Sequence, residues 1–270
     1  MVEQNRNQVE YNFYGLKRSG NHAIMTWIAG NLDQPVVLLN NSLPFRDPYK
    51  TFNHDGKWDP GLDCFKIPEK WDDPIRFEQK KYLFISFEDI NITGLDEKNI
   101  IPDRVSAVGS SSSLKIIFIL RDPFNFMASR FCKKTKTVSE FRELPDALGA
   151  WKMYAFEFLG KTGYITNKTL INYNTWFKDR SYRIQLAEQL NIPFSDKGIN
   201  IVTTAGRGSS FDQLSYNGNA QQMNVLERWK NIAAEPDFQK LFKDQDEILE
   251  LSETIFGEIE GTRSFMEGTR

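Results

Sequence analysis

The stretch YNFYGLKRSGNHAIMTWI, residues 11–28, decides how the rest of the 270-residue chain is read. The apolar run from Tyr11 to Leu16 has the length and content of a strand. It gives way to GLKRSG, Gly15 to Gly20, whose G-x-x-x-x-G spacing lets a backbone turn tightly against an anion. Ile24, Trp27 and Ile28 then fall at i, i+3, i+4 spacing and predict a helix from about Gly20. Strand, glycine loop and helix in that order present free N–H groups and the positive end of a helix dipole to one point. Lys17 and Arg18 add full charges there; Ser19, Asn21 and His22 add side-chain donors. The plainer alternative is a strand-to-helix turn with solvated charges.

The loop lacks one thing. A nucleoside-triphosphate loop continues G-K-[ST], because the lysine reaches the β- and γ-phosphates and the hydroxyl binds magnesium. Here Asn21 and His22 stand in those two places. The charge clamp and the metal ligand are both missing, and the basic residues sit before Ser19-Gly20 instead.

Outward from the loop, short apolar runs alternate with helical patterns, as in a parallel α/β sheet. Pro35–Asn40, Lys81–Phe87, Leu114–Leu120 and Thr169–Asn174 read as further strands. Leu114–Leu120 is apolar throughout, as suits a strand buried on both faces. Asp122-Pro123 is a good cap and first turn for the helix that follows it. Phe238 to Ile255 reads as one long last helix, Val225–Lys230 as a helix start, the serines after Gly109 as a loop, and residues 257–270 as a frayed tail. The expectation is one three-layer α/β/α domain around a mostly parallel sheet. Residues 42–80, with Pro44, Pro48, Pro60, Pro68 and Pro74, read as an irregular acceptor-side or lid segment. Its aromatics Phe45, Tyr49, Phe52 and Trp58 either wall a binding site or belong to the core.

Bulk properties narrow the function. Hydrophobic residues make up 40% and the net charge is −2, so a sizeable core is assured and no global field draws nucleic acid. Two cysteines and two histidines give no disulfide framework and no zinc pattern. No window approaches a membrane span and the N-terminus has no apolar leader, so the chain is expected to be soluble and cytoplasmic.

LKRSGNHAI resembles the 5′-phosphosulfate loop of sulfotransferases that use 3′-phosphoadenosine 5′-phosphosulfate (PAPS) and release adenosine 3′,5′-bisphosphate (PAP). Aligned so, Arg18, Ser19 and Gly20 match that loop, and Asn21 and His22 replace its two threonines. KIIFILRDPFNFMASR resembles the same family's 3′-phosphate motif, a buried strand ending in Arg with a Ser eight residues on: Arg121 and Ser129. Physically, Arg121 would stand at the C-terminal end of a parallel strand, where α/β folds bind ligands. Ser129 would lie roughly 9 Å along the next helix, within reach of the Arg side chain. Tyr173, in a strand-to-helix turn, would lie near the adenine or simply pack. TTAGRGSSF resembles the family's glycine-rich clamp, which assigns Arg207 and Gly208 to the 3′-phosphate.

The resemblance implies the P-loop nucleotide-hydrolase type of α/β fold and metal-independent, in-line transfer of a sulfuryl group to a hydroxyl acceptor. Arg18, with Lys17, would stabilise charge on the bridging oxygen. Glu88, at the end of a central strand, is the first candidate base, and His54 the second; His22 suits a neutral donor. Arg130, Lys133, Lys134 and Lys136 read as a solvated face or a contact for an acidic acceptor. A metal-dependent kinase or NTPase and a non-catalytic PAP-binding protein remain as alternatives. Glycan, lipid, phenol and peptide acceptors are all left open.

Overall fold

The computed structural model describes residues 5–53, 64–95, 105–134, 144–203 and 211–269. Six strands, β1 (Asn5–Gly15), β2 (Val36–Leu39), β3 (Phe65–Lys66), β4 (Lys80–Glu88), β5 (Ser110–Leu120) and β6 (Lys168–Asn172), form one sheet in the order β3-β2-β4-β1-β5-β6. Every pairing in it is parallel. Parallel strands covered on both faces must be apolar on both faces. Phe13, Leu83, Phe84, Ile85, Ile117, Phe118 and Ile119 are accordingly buried in sequence-adjacent runs.

Helices cover both faces. On one side α1 (Asn21–Gly30), α5 (Tyr173–Lys178) and α6 (Arg180–Gln189) pack Trp27, Trp176 and Leu186 into one core. On the other, α3 (Pro123–Lys134), α4 (Leu144–Phe158), α7 (Pro236–Phe242), α8 (Asp246–Phe256) and α9 (Thr262–Gly268) contribute Phe124, Trp151, Phe238, Ile248 and Met266 to a second. The chain leaves β1 toward β2 and leaves β5 toward β6, in opposite directions. The adjacent ends of β1 and β5 are therefore a topological switch point, where such sheets open a ligand crevice. Gly15 ends β1 and Arg121 follows β5.

Several expectations are corrected. The serines after Gly109 are the first third of β5, because Asn7 and Glu10 of β1 hydrogen-bond Ser111 and extend the pairing beyond the apolar run. The long last helix is two helices, α7 and α8, parted where Lys243 turns extended and Asp244 takes φ 56°. Residues 228–231 make only a 3₁₀ turn, Arg228–Asn231. Residues 262–268, expected as a frayed tail, are α9, held by buried Thr262 and Met266. The segment 42–80 contains α2 (Pro48–Thr51), capped by Asp47, and the short edge strand β3. Tyr49 and Phe52 are core residues, Phe45 is exposed, and Trp58 lies outside the described residues.

Candidate functional site

A cleft of about 300 Å³ opens at the switch point, lined among others by Lys17, Arg18, Gly20, His22, Glu88, Arg121, Ser129, Tyr173 and Arg228. Its floor is the loop after β1. Two residues of the loop are left-handed, Arg18 (φ 75°) and Gly20 (φ 87°). Glycine takes that conformation freely, and an arginine does so only when its surroundings hold it. Ser19 N–H donates to the Leu16 carbonyl at 3.1 Å and closes the turn. Gly20 then starts α1 with no side-chain cap and no acidic residue in the first turn, so the positive end of the helix faces the cleft uncovered. Ser19 Oγ is buried and has no hydrogen-bond partner among the described residues.

Arg18 is held differently from Arg130, which is locked in an ion pair with Asp89. Burial draws the Arg18 guanidinium below the usual pKa; Glu88 opposes that shift and Arg130 adds to it. An arginine stays charged through such a change. Lys17 is exposed: its backbone N–H donates to Asp89 Oδ1 at 2.9 Å and its ammonium stands 3.9 Å from Oδ2. Asp89 itself, at φ 56°, takes both Arg130 guanidinium nitrogens at 2.5–3.2 Å. Arg130 is thus an internal strut from α3 to the loop, which corrects its reading as part of a solvated basic face. Lys136 and the Lys133 and Lys134 side chains lie outside the described residues.

The second half of the cleft is built on β5 and α3. Arg121 is buried, donates to the Arg18 carbonyl at 3.1 Å and to Ser129 Oγ at 3.3 Å, bonds the Val225 carbonyl, and lies 5.2 Å over the Tyr173 ring. Its Nε has no partner, and no carboxylate pairs with it among the described residues. A buried cation held only by neutral groups is expensive unless an anion joins it. Arg228 lies close enough that Arg121 helps burial lower its pKa, against the pull of its ion-pair partner Asp212. Asn125, buried in the first turn of α3, holds this segment. It donates to the Leu226 carbonyl at 2.8 Å and accepts from Trp229 N–H at 3.2 Å.

The third side comes from β2 and β4. Register places Glu88 beside Gly15. Asn21, in the position of a nucleotide-loop lysine, folds back. Its Nδ2 donates to the Leu16 carbonyl at 3.1 Å and to Glu88 Oε1 at 2.8 Å. A Cβ on Gly15 would come within 2.2 Å of the Asn21 side chain, so that glycine is needed for the fold-back. His22 Nε2 donates to Asn40 Oδ1 at 3.0 Å, since a carboxamide oxygen only accepts.

Of the residues picked from sequence, Lys17, Arg18, Gly20, Asn21, His22, Glu88, Arg121, Ser129 and Tyr173 all line the cleft. Asn21 points into the protein and serves the loop and Glu88. Tyr173 covers Gly20, where a Cβ would meet its ring at 2.0 Å, and lies beneath the loop and Arg121. His54, Arg207 and Gly208 lie outside the described residues. Sequence reading missed Arg228, Asn125 and Asn40. The signal for Asn125 was a polar residue on the apolar face of α3; Arg228 offered none, being one charged residue among several in a segment read only as a helix start.

No protein-family model and no curated relative matches the chain. Among solved structures it is similar to a mouse sulfotransferase complexed with PAP, at 13% identity and TM-score 0.44, over 98% of this chain and 90% of that one. It is also similar to the sulfotransferase domain of the Synechococcus olefin synthase, at 13% identity and TM-score 0.49, over 95% and 97%. Both are sulfotransferases. At such identity the chemistry has to be read from the cleft's own residues. Among the described residues no helix is long and apolar enough to cross a membrane.

Proposed function

We propose that the chain is a PAPS-dependent sulfotransferase, moving a sulfuryl group in line to a hydroxyl acceptor without a metal. The observation that carries this is the presence of two separate anion-seeking positions in one cleft. One is the loop, with Arg18, Lys17 and the uncapped start of α1 on the cleft and the unpartnered Ser19 hydroxyl buried in the same loop. The other is Arg121 with Ser129 and Arg228, a buried cation lacking a counter-charge. A nucleoside triphosphate carries its phosphates in one chain. A nucleotide phosphorylated at 3′ and substituted at 5′ carries two separate anionic groups and suits both positions.

PAPS would supply the activated sulfuryl group. Ser19, Gly20 and the first N–H groups of α1 would hold the 5′ end, and Arg18 would place positive charge where charge grows on the leaving oxygen. Arg121, Ser129 and Arg228 would hold the 3′-phosphate. Trp176 and Phe177, with Ile199 and Met223, offer an apolar wall for a base. Glu88, partly buried at the cleft and oriented by Asn21, would take the acceptor proton. The Asn21-His22 pair supports the metal-free reading, since neither residue replaces the lysine or the magnesium hydroxyl.

The test is a comparison of thermal shifts. PAP should raise the melting temperature by binding the native state, ATP at equal concentration should raise it less, and Arg121→Ala should remove the PAP shift. An equal shift with ATP sinks the 3′-phosphate assignment. For the base, Glu88→Gln should lower kcat by about 10²–10⁴ while PAP binding persists. Tight PAP binding with no transfer to any hydroxyl would make the chain a nucleotide-binding protein instead.

A further inference from the structure

The cleft has two chemically different sides. The sheet order puts the C-terminal ends of β2 and β4 on one side of the β1 loop and those of β5 and β6 on the other. β2 and β5 are three strand spacings apart, about 14 Å. On the β5–β6 side the wall is aromatic and aliphatic around Arg121: Tyr173, Trp176, Phe177 and Val225. On the β2–β4 side the described residues of the wall are Asn40, Asn41, Asn53 and Glu88, all polar.

Asn40 is a preset donor. Its carboxamide oxygen accepts from Ser86 Oγ at 2.9 Å and from His22 Nε2 at 3.0 Å, and these two bonds fix the plane of the amide. Asn41, held left-handed at φ 52°, gives its backbone N–H to the same Ser86 oxygen at 2.8 Å. The Asn40 amide nitrogen, with two hydrogens, is taken by no described protein group. On the neighbouring strand Glu88 spends Oε1 on Asn21 and keeps Oε2, an acceptor. Both line the same cleft; with Glu88 taken by the reacting hydroxyl, the Asn40 amide would still need an acceptor, which the oxygen of a second hydroxyl supplies. The single hydroxyl of a phenol, sterol or fatty alcohol would be spent on Glu88, and its apolar remainder would strip water from the Asn40 amide and return no hydrogen bond there, which such sites reject strongly.

We infer that the acceptor is a polyhydroxylated, sugar-like molecule, its hydroxyls read by Asn40 and Glu88. This rests on the PAPS reading above. The test offers radiolabelled PAPS with p-nitrophenyl glycosides of several hexoses, with p-nitrophenol, and with a sterol, beside a PAP-binding measurement. Label should enter a sugar hydroxyl, with kcat/KM about a hundredfold or more above p-nitrophenol and sterol. Removing a hydroxyl neighbouring the sulfated one should lower kcat/KM about tenfold, and Asn40→Asp should raise KM by a similar factor with PAP affinity kept. Preference for p-nitrophenol or the sterol overturns the inference. So does intact PAP binding with every glycoside refused, or indifference to the deoxy sugars whatever the variant does. Failure of the wild-type chain to bind PAP overturns the donor reading, and this inference with it.

Discussion

Gly20 has no room for a methyl group. Its φ of 87° strains any other residue, and Tyr173 would stand 2.0 Å from the added carbon. Gly20→Ala should cost about 1–3 kcal/mol of stability, read as a lower urea midpoint at unchanged slope, and should remove the PAP shift. Lys80 makes a different residue-scale prediction. Burial above all, with the nearby Arg6, draws its ammonium down to about 8 from 10.5. Between those values the unfolded chain binds more protons than the native one, so this group adds stability as pH rises through that window. The melting temperature of wild type relative to Lys80→Met should therefore climb from pH 8 to pH 10. A flat difference would mean that the ammonium is not perturbed. Arg121 and Ser129 were legible at this scale because both sit in one short motif, strand end and helix face. Arg228 was not, because what brings it to Arg121 is Asn125 gripping a segment 101 residues further along the chain.

Among the elements, α3 and the β1 loop are joined by one carboxylate. Asp89 takes the Lys17 N–H and both Arg130 nitrogens, while its own N–H reaches the Gly15 carbonyl at 3.3 Å. Asp89→Asn keeps the shape and removes the charge. It should lower stability by about 1–3 kcal/mol and weaken PAP, because the neighbouring residue on α3 is Ser129 and the next in the loop is Arg18. Calorimetric titration with PAP checks it; unchanged affinity would leave the bridge a stability feature only. Legibility of elements followed burial. The apolar cores of β1, β4 and β5 were plain in the sequence. The serine part of β5 was hidden because its support is polar pairing with Asn7 and Glu10, and the break between α7 and α8 because the apolar spacing runs straight through it.

For the molecule as a whole, one sheet carries two cores, and its central strands feed both. Leu83 and Ile85 belong to one core and Phe84, between them, packs into the other. Neither core can melt without baring the face of strands the other needs. Thermal unfolding should therefore be a single transition with matching calorimetric and van't Hoff enthalpies; two resolved steps would mean separable units. The charge distribution makes a second whole-molecule prediction. The chain is net −2, yet Lys17, Arg18, Arg121 and Arg228 face the cleft against Glu88. PAP affinity should fall as salt rises, more steeply for contacts at exposed Lys17 than for those at buried Arg121. Lys17→Met should flatten that slope in titrations across a salt series.

The left-handed Arg18 sets stability against use. A glycine there would relax the turn and would take its φ of 75° without strain. Stability selection would therefore tend to discard the guanidinium, and selection for turnover would restore it. A library screened only for heat resistance should drift to the Arg18→Gly substitution and lose its chemistry while its fold improves, which makes this position a place to separate the two pressures.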